Sequence, residues 1–205
     1  MKGRPFLRDV KSIAKSILGG GVVVYPTETY YALGAHFMCE AALDRIYRIK
    51  LRTYEAPLLC IVDGLSMLQK LVERIPPPAE YLMERFWPGP LTLVLPAKKG
   101  LPEALIGPGG GVGVRWSSHA LAQALVKEVG SPVVGTSANP SGGPSAILIE
   151  EIPHTLLNSV DGVLDGGRLS GGPPSTVLDC TVEPFKILRH GAVNSEELLG
   201  VVQLG

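Results

Sequence analysis

Five polar clusters in this sequence follow directly on apolar runs. PTETYYALG (26–34) sets Thr27, Glu28 and Thr29 between a proline and two tyrosines; IKLRTYEAPL (49–58) carries Lys50 and Arg52 two positions apart. GVGVRW (111–116) holds Arg115 as the one charge in a run of small apolar residues, and VVGTSANPSGGPSA (133–146) strings Ser137, Asn139, Ser141 and Ser145 around Gly142 and Gly143 with no charge at all. The fifth joins PPSTVLD (173–179), with Ser175 and Thr176, to ILRHG (187–191), which ends on Arg189. Hydroxyls, an amide and exposed backbone N–H groups can wrap a phosphate or a sugar closely. An arginine fork fits a carboxylate or phosphate bidentately, and two cations on alternate positions of an extended segment point to one face, which suits a polyphosphate.

Four of the five clusters also have a plainer reading. Residues 27–29 read as a turn plus a helix cap, Lys50 and Arg52 as cations favoured at a helix C-terminus, Arg115 as half of a structural ion pair, and the glycine-serine stretch as an ordinary loop. Three separated cationic spots and two hydroxyl clusters together point to an anion site. Other templates do not fit. No Gly-Lys-Ser/Thr follows the loop, GPGGGVG (107–113) lacks the strand-turn-helix order of a dinucleotide fingerprint, and no G-x-S-x-G is present. His36, His119, His154 and His190 show no metal-ligand spacing.

Positioning these clusters requires alternating elements. Asp9–Leu18 has helical spacing, a capping Asp and stopping glycines; 22–26 is a short strand; Glu40–Ile49 is a helix; 57–63 is a buried strand followed by a helix from about Gly64. Pro78–Phe86 is a helix, 91–97 and 111–116 are strands, Ser118 caps a helix to about Val129, and 131–135 is a strand. A glycine-rich stretch to about 147 precedes a short helical piece, strands near 161–164, 175–180 and 185–189, and a last helix from Asn194. The alternation predicts one α/β domain over 1–205, with a twisted mixed sheet and flanking helices.

Nineteen basic and nineteen acidic side chains cancel to a net charge of +0, so any nucleic-acid contact is expected to be confined to a patch. At 45% hydrophobic and 19% charged the chain has material for a core and is not disordered. Cys39, Cys60 and Cys180 are odd in number and far apart, which suits apolar fillers in a reducing compartment. With no apolar run of about 18 residues and no signal-peptide core, the expected address is the cytoplasm, without membrane attachment.

Seven motifs, PTETYYALG, Lys50-x-Arg52, WPGPLTLVL, VGVRW, TSANPSG, PSTVLD and ILRHG, stand in an order and spacing that resembles the YrdC-type (TsaC) family of threonylcarbamoyl-AMP synthases, over about residues 10–193. The resemblance implies an α/β fold with a large concave cleft and, because the chain ends near 205, no separate C-terminal domain. It implies nucleotidyl transfer: L-threonine, bicarbonate or CO2 and ATP, with Mg2+ held mainly by ATP, yield threonylcarbamoyl-AMP and diphosphate. Transferase partners of the TsaD, TsaB and TsaE type then modify adenosine at position 37 of tRNA. Lys50 and Arg52 are implied as the catalytic cations on the triphosphate and carbamate; Thr27, Arg115 and Ser175 as the threonine side, with Arg115 on the carboxylate; Ser137, Asn139, Ser145 and Arg189 as further ATP contacts. Thr53, Ala56 and Ala32 depart from the usual pattern, and the Tyr-Ala-Leu-Gly form is similar to the YciO branch. That leaves two alternatives: a YciO-like paralogue with other nucleotide chemistry, or an RNA-binding module for structured or double-stranded RNA, with weak RNA contact, that lacks synthase activity.

Overall fold

The computed structural model describes residues 9–51, 56–203 and 205; the expected site residue Arg52 and the departure Thr53 lie outside them. The chain enters α1 (Val10–Leu18) at Asp9, whose carboxylate accepts from the Lys11 N–H at 3.0 Å and from Ser12 Oγ at 2.6 Å. Helical spacing turns Ile13, Ala14 and Ile17 to one buried face. β1 (Val23–Pro26) and β2 (Tyr31–Gly34) form an antiparallel hairpin in which Pro26 faces Tyr31. The Thr27–Thr29 segment is therefore a hairpin turn, and no helix follows it. Thr27 N–H donates to the Tyr30 carbonyl at 3.2 Å, and the chain runs on as strand from Tyr31.

The next elements are α2 (Glu40–Lys50), β3 (Leu59–Ile61), α3 (Leu65–Leu68), α4 (Pro77–Phe86), β4 (Leu91–Pro96) and β5 (Gly111–Arg115). α5 (Ala120–Val129), β6 (Val133–Ser137), α6 (His154–Leu157), β7 (Gly162–Val163), β8 (Thr176–Asp179), β9 (Lys186–Arg189) and α7 (Ser195–Leu199) follow. One nine-stranded sheet takes the order β7-β1-β2-β6-β3-β5-β4-β8-β9, with parallel pairs at β7/β1, β3/β5 and β4/β8 and antiparallel pairs elsewhere. The mixed sheet is the one read from the sequence. α1 and α5 pack on each other and on β1.

Alternation along β5 separates the two faces. Val112 and Val114 are fully buried in the core, while Gly111, Gly113 and Arg115 line a cavity. β6 continues two residues past the expected 131–135 strand, because Thr136 and Ser137 pair with Leu33 and Ala32 of β2. Cys60 and Cys180 are buried free thiols, raised by desolvation, and Cys39 is partly buried. No helix among the described residues is long and apolar enough to cross a membrane.

The N-cap of α5 is His119, not Ser118. Its Nδ1 accepts from the Leu121 N–H at 3.2 Å, so that nitrogen must be unprotonated. Burial holds the imidazole below its usual range, against the opposing pull of the Glu28 carboxylate; burial and then Lys70 lower His36 likewise. A lowered folded-state value means that the unfolded chain binds more protons below about pH 6.5, so stability falls as the pH drops through that value. His119→Asn keeps a capping acceptor and removes the titration. Urea unfolding at about pH 7.5 and about pH 5.5 should show a smaller acid loss in the variant than in the parent. Leu33→Ala, in the fully buried centre of the sheet, should lower stability by about 2–5 kcal/mol, seen as a lower urea midpoint at unchanged slope.

Candidate active site

One face of the sheet lines a cavity of about 890 Å³. Its floor is made of small or apolar residues on neighbouring strands: Ala32, Leu59, Val94, Gly111, Gly113 and Gly135. Glycine is required at β5: a Cβ on Gly111 would stand 2.6 Å from Val94 Cγ1 and 2.9 Å from Thr181 Cγ2. Among the described lining residues the charged ones are Arg115, Asp179 and Arg189.

Six of the nine site residues expected from the sequence line this space: Thr27, Arg115, Ser137, Ser145, Ser175 and Arg189. They come from residues as far apart as 27 and 189, joined by the sheet order. Lys50 and Asn139 are not in its lining and stand behind Ser137, which is. α2 remains helical through Lys50, so Lys50 is not on an extended segment, and its ammonium is turned inward at 2% exposure. Nζ donates to the carbonyl oxygens of Ser137 (2.5 Å) and Asn139 (2.8 Å) and to Asn139 Oδ1 (3.1 Å), while the Lys50 carbonyl accepts from the Ser141 N–H at 2.9 Å. A buried ammonium is tolerated only with such partners. Lys50 thus clamps the TSANPSG loop from beneath. Within that loop Ser137 Oγ donates to Asn139 Oδ1 at 2.6 Å, and Asn139 Nδ2 donates to the Gly143 carbonyl. The loop's shape is set by these internal bonds, which leave Ser137 and Ser145 on the cavity wall.

Arg115 combines both readings made of it. It lines the cavity, and its Nη1 also lies 3.2 Å from Glu28 Oε1. Ser117 Oγ donates to the other Glu28 oxygen. The contact is a charge pair rather than an aligned hydrogen bond: Arg115 Nε and Glu28 Oε1 are buried without a hydrogen-bond partner among the described residues. Arg189 Nη2 donates to the Ser175 carbonyl at 2.8 Å and to Ser175 Oγ at 2.9 Å, and Ser175 Oγ lies 2.9 Å from Thr92 Oγ1. Thr27 Oγ1 donates to the Tyr30 carbonyl at 2.7 Å.

Several participants were not singled out from the sequence. Thr92 sits inside an apolar strand pattern, and only its register beside β8 shows that it faces Ser175. Glu28 lay within a recognised cluster, but its partner is 87 positions away. The segment 165–172 straps onto the β1–β2 hairpin. Tyr31 Oη accepts from Gly166 N–H at 3.0 Å and donates to the Gly167 carbonyl at 2.7 Å, Gly171 N–H donates to the Thr29 carbonyl at 3.1 Å, and Tyr30 Oη donates to the Gly172 carbonyl. Burial pushes the Tyr31 phenol up to about 12, so it stays a donor at neutral pH. Among the described residues no three His, Cys, Asp or Glu side chains gather to hold a metal ion.

The cleft at one face of the mixed α/β sheet carries arginines and a hydroxyl-rich loop in its lining, an arrangement with the chemistry to receive an anionic small molecule. The comparisons narrow this class. The Sua5/YciO/YrdC profile, described as “Telomere recombination”, matches residues 15–191, and the chain belongs to that family. It is 37% identical over 193 residues to a protein of Pyrococcus abyssi and 39% identical over 182 residues to one of Bacillus subtilis, both named threonylcarbamoyl-AMP synthase. These matches cover 94% and 88% of this chain but 57% and 53% of theirs, so the chain spans about half the length of these relatives. The crystal structure of P. abyssi Sua5 complexed with L-threonine superposes with a TM-score of 0.89 at 36% identity, covering 96% of this chain and 58% of that one. E. coli YciO superposes with a TM-score of 0.84 at 30% identity, covering 92% of both chains.

The Arg115–Glu28 pair gives a test of its own. Removing one member of a buried pair strands the other charge, which typically costs about 3–5 kcal/mol. Arg115→Met and Glu28→Gln should each lower the urea midpoint, and the double variant should lose less than the sum of the two.

Proposed function

We propose that this protein makes threonylcarbamoyl-AMP from L-threonine, bicarbonate or CO2, and ATP. The observation that carries the reading is the gathering of Arg115, Arg189, Ser137, Ser145, Ser175 and Thr27 around one cavity of about 890 Å³, in a family whose P. abyssi member was crystallised with L-threonine. In the proposed reaction the threonine amine, as its carbamate, presents an oxygen to the α-phosphorus of ATP. A new P–O bond forms there, the bond to the β-phosphate oxygen breaks, and diphosphate leaves with the electron pair.

Little covalent help from the protein is needed; positioning and charge stabilisation supply the acceleration. Arg115 is proposed to take the threonine carboxylate through its planar fork, with Thr27 and Ser175 on the same substrate. Ser137, Ser145 and Arg189 are proposed to contact the nucleotide, with Arg52 on the triphosphate. Lys50 and Asn139 act through the loop that they hold. Magnesium is proposed to enter on the ATP phosphates and water. The product would serve tRNA-modifying transferases of the TsaD, TsaB and TsaE type.

A second reading, a YciO-like paralogue, is favoured by one observation: Ala32 and Ala56, two of the departures from the synthase pattern, both line the cavity. Diphosphate release from ATP should require both threonine and bicarbonate. Release that ignores threonine, or failure to complement cells lacking their synthase despite good expression, would point to the paralogue. Arg115→Ala should slow the reaction by about 10²-fold, as loss of one electrostatic donor does; near-normal turnover at saturating substrate would remove Arg115 from its assigned role.

A further inference from the structure

Among its described lining residues the cavity carries one carboxylate, Asp179, and the chemistry above gives it no task. Asp179 ends β8, and its Oδ1 accepts from both the Thr181 N–H (2.9 Å) and Thr181 Oγ1 (2.6 Å). One oxygen is therefore locked, and no hydrogen bond or ion pair within the described residues engages Oδ2. Lys186, opposite Asp179 in the β8–β9 register, is exposed and makes no ion pair with it. The lock itself depends on Gly111, since a Cβ there would collide with the Thr181 methyl group.

Register places the carboxylate relative to the cations. Thr92, Val177 and Arg189 form one row across β4, β8 and β9. Gly113, Val94 and Asp179 form a row two residues further along β4 and β8, about 7 Å away at the rise of a strand. This row continues to Lys186 on β9, which does not line the cavity; its cavity floor is Gly113 and Val94, backed by Leu59, without charge. A carboxylate repels phosphates, so a triphosphate drawn to the Arg189 row leaves the uncharged half of the nucleotide over the Asp179 row.

We infer that Asp179, held by Thr181, accepts a hydrogen bond from a neutral donor on the nucleoside half of the nucleotide, and so decides which nucleotide the cavity takes. The inference rests on the ATP-dependent reading above. A nucleoside offers two such donors, the ribose hydroxyls and the exocyclic amine of the base. A site built to hydrogen-bond a ligand group discriminates against the analogue that lacks it.

The test is calorimetric binding of the magnesium complexes of ATP, 2′-deoxy-ATP, 3′-deoxy-ATP and inosine triphosphate to the parent protein, Asp179→Asn and Thr181→Val. The parent should bind ATP about tenfold or more tighter than at least one analogue, the scale of a hydrogen bond to a charged acceptor. Asp179→Asn should abolish that preference, and Thr181→Val, which removes the hydroxyl bond to Oδ1 and keeps only the backbone one, should reduce it. A preference confined to the deoxy analogues assigns the donor to the ribose; one confined to the inosine nucleotide assigns it to the base amine. Equal binding of all four by the parent, or a preference that survives in Asp179→Asn, overturns the inference. So does an equal loss for every nucleotide with a raised magnesium requirement, which would make Asp179 a metal contact. Should Asp179→Asn fail to fold, an undiminished preference in Thr181→Val overturns it. Parent protein that binds none of the four fails the ATP reading itself and takes the inference with it, whereas tight ATP binding without discrimination fails the inference alone.

Discussion

A cationic nitrogen can leave water only when oxygens close around it, and that requirement organises the cleft. Lys50, at 2% exposure, is satisfied by the oxygens of residues 137 and 139. The partner of Arg115 is Glu28, and the guanidinium of Arg189 rests on Ser175. The first two pairings join segments far apart in the chain and the third joins neighbouring strands, and each fixes a wall of the same cavity. Were Lys50 and Arg115 exposed as Arg189 is, the segments they hold would be free to take other shapes, and the hydroxyls would not converge.

The glycines serve the same end from the other side. On β5 the residues facing the cavity are Gly111, Gly113 and Arg115, while Val112 and Val114 enter the core. Removing side chains from two consecutive cavity-facing positions opens the floor and leaves the third to carry the charge. The hairpin of β1 and β2 and the 165–172 segment strapped to it close one flank, with Tyr30 and Tyr31 hydrogen-bonded to glycine carbonyls.

Much of the secondary structure was legible because it rests on local physics. The Asp9 cap, the apolar face of α1, the strands at 91–96 and 111–115 and the Asn194 cap all follow from neighbours within a few positions. Residues 27–29 read locally as a turn plus a helix cap because threonines suit both; the pairing of Pro26 with Tyr31, a tertiary-sheet matter, decides for the hairpin turn. The cap of α5 moved from Ser118 to His119 for a similar reason: two adjacent residues offer acceptors, and the backbone path selects one.

The residue types of the site were set in the primary structure: isolated arginines at strand ends, a charge-free loop of hydroxyls and glycines, and a motif order that placed the chain in its family. Which of them face the cavity was decided only by the fold. Lys50 reads as a ligand for phosphate in one dimension, yet a helix that persists through it turns its ammonium under the loop. Thr92 reads as core, yet its register beside β8 sets it against Ser175. Periodicity within a segment reports which side chains share a face; it carries no information on which strand lies alongside, and it is the neighbouring strand that supplies the partner atoms.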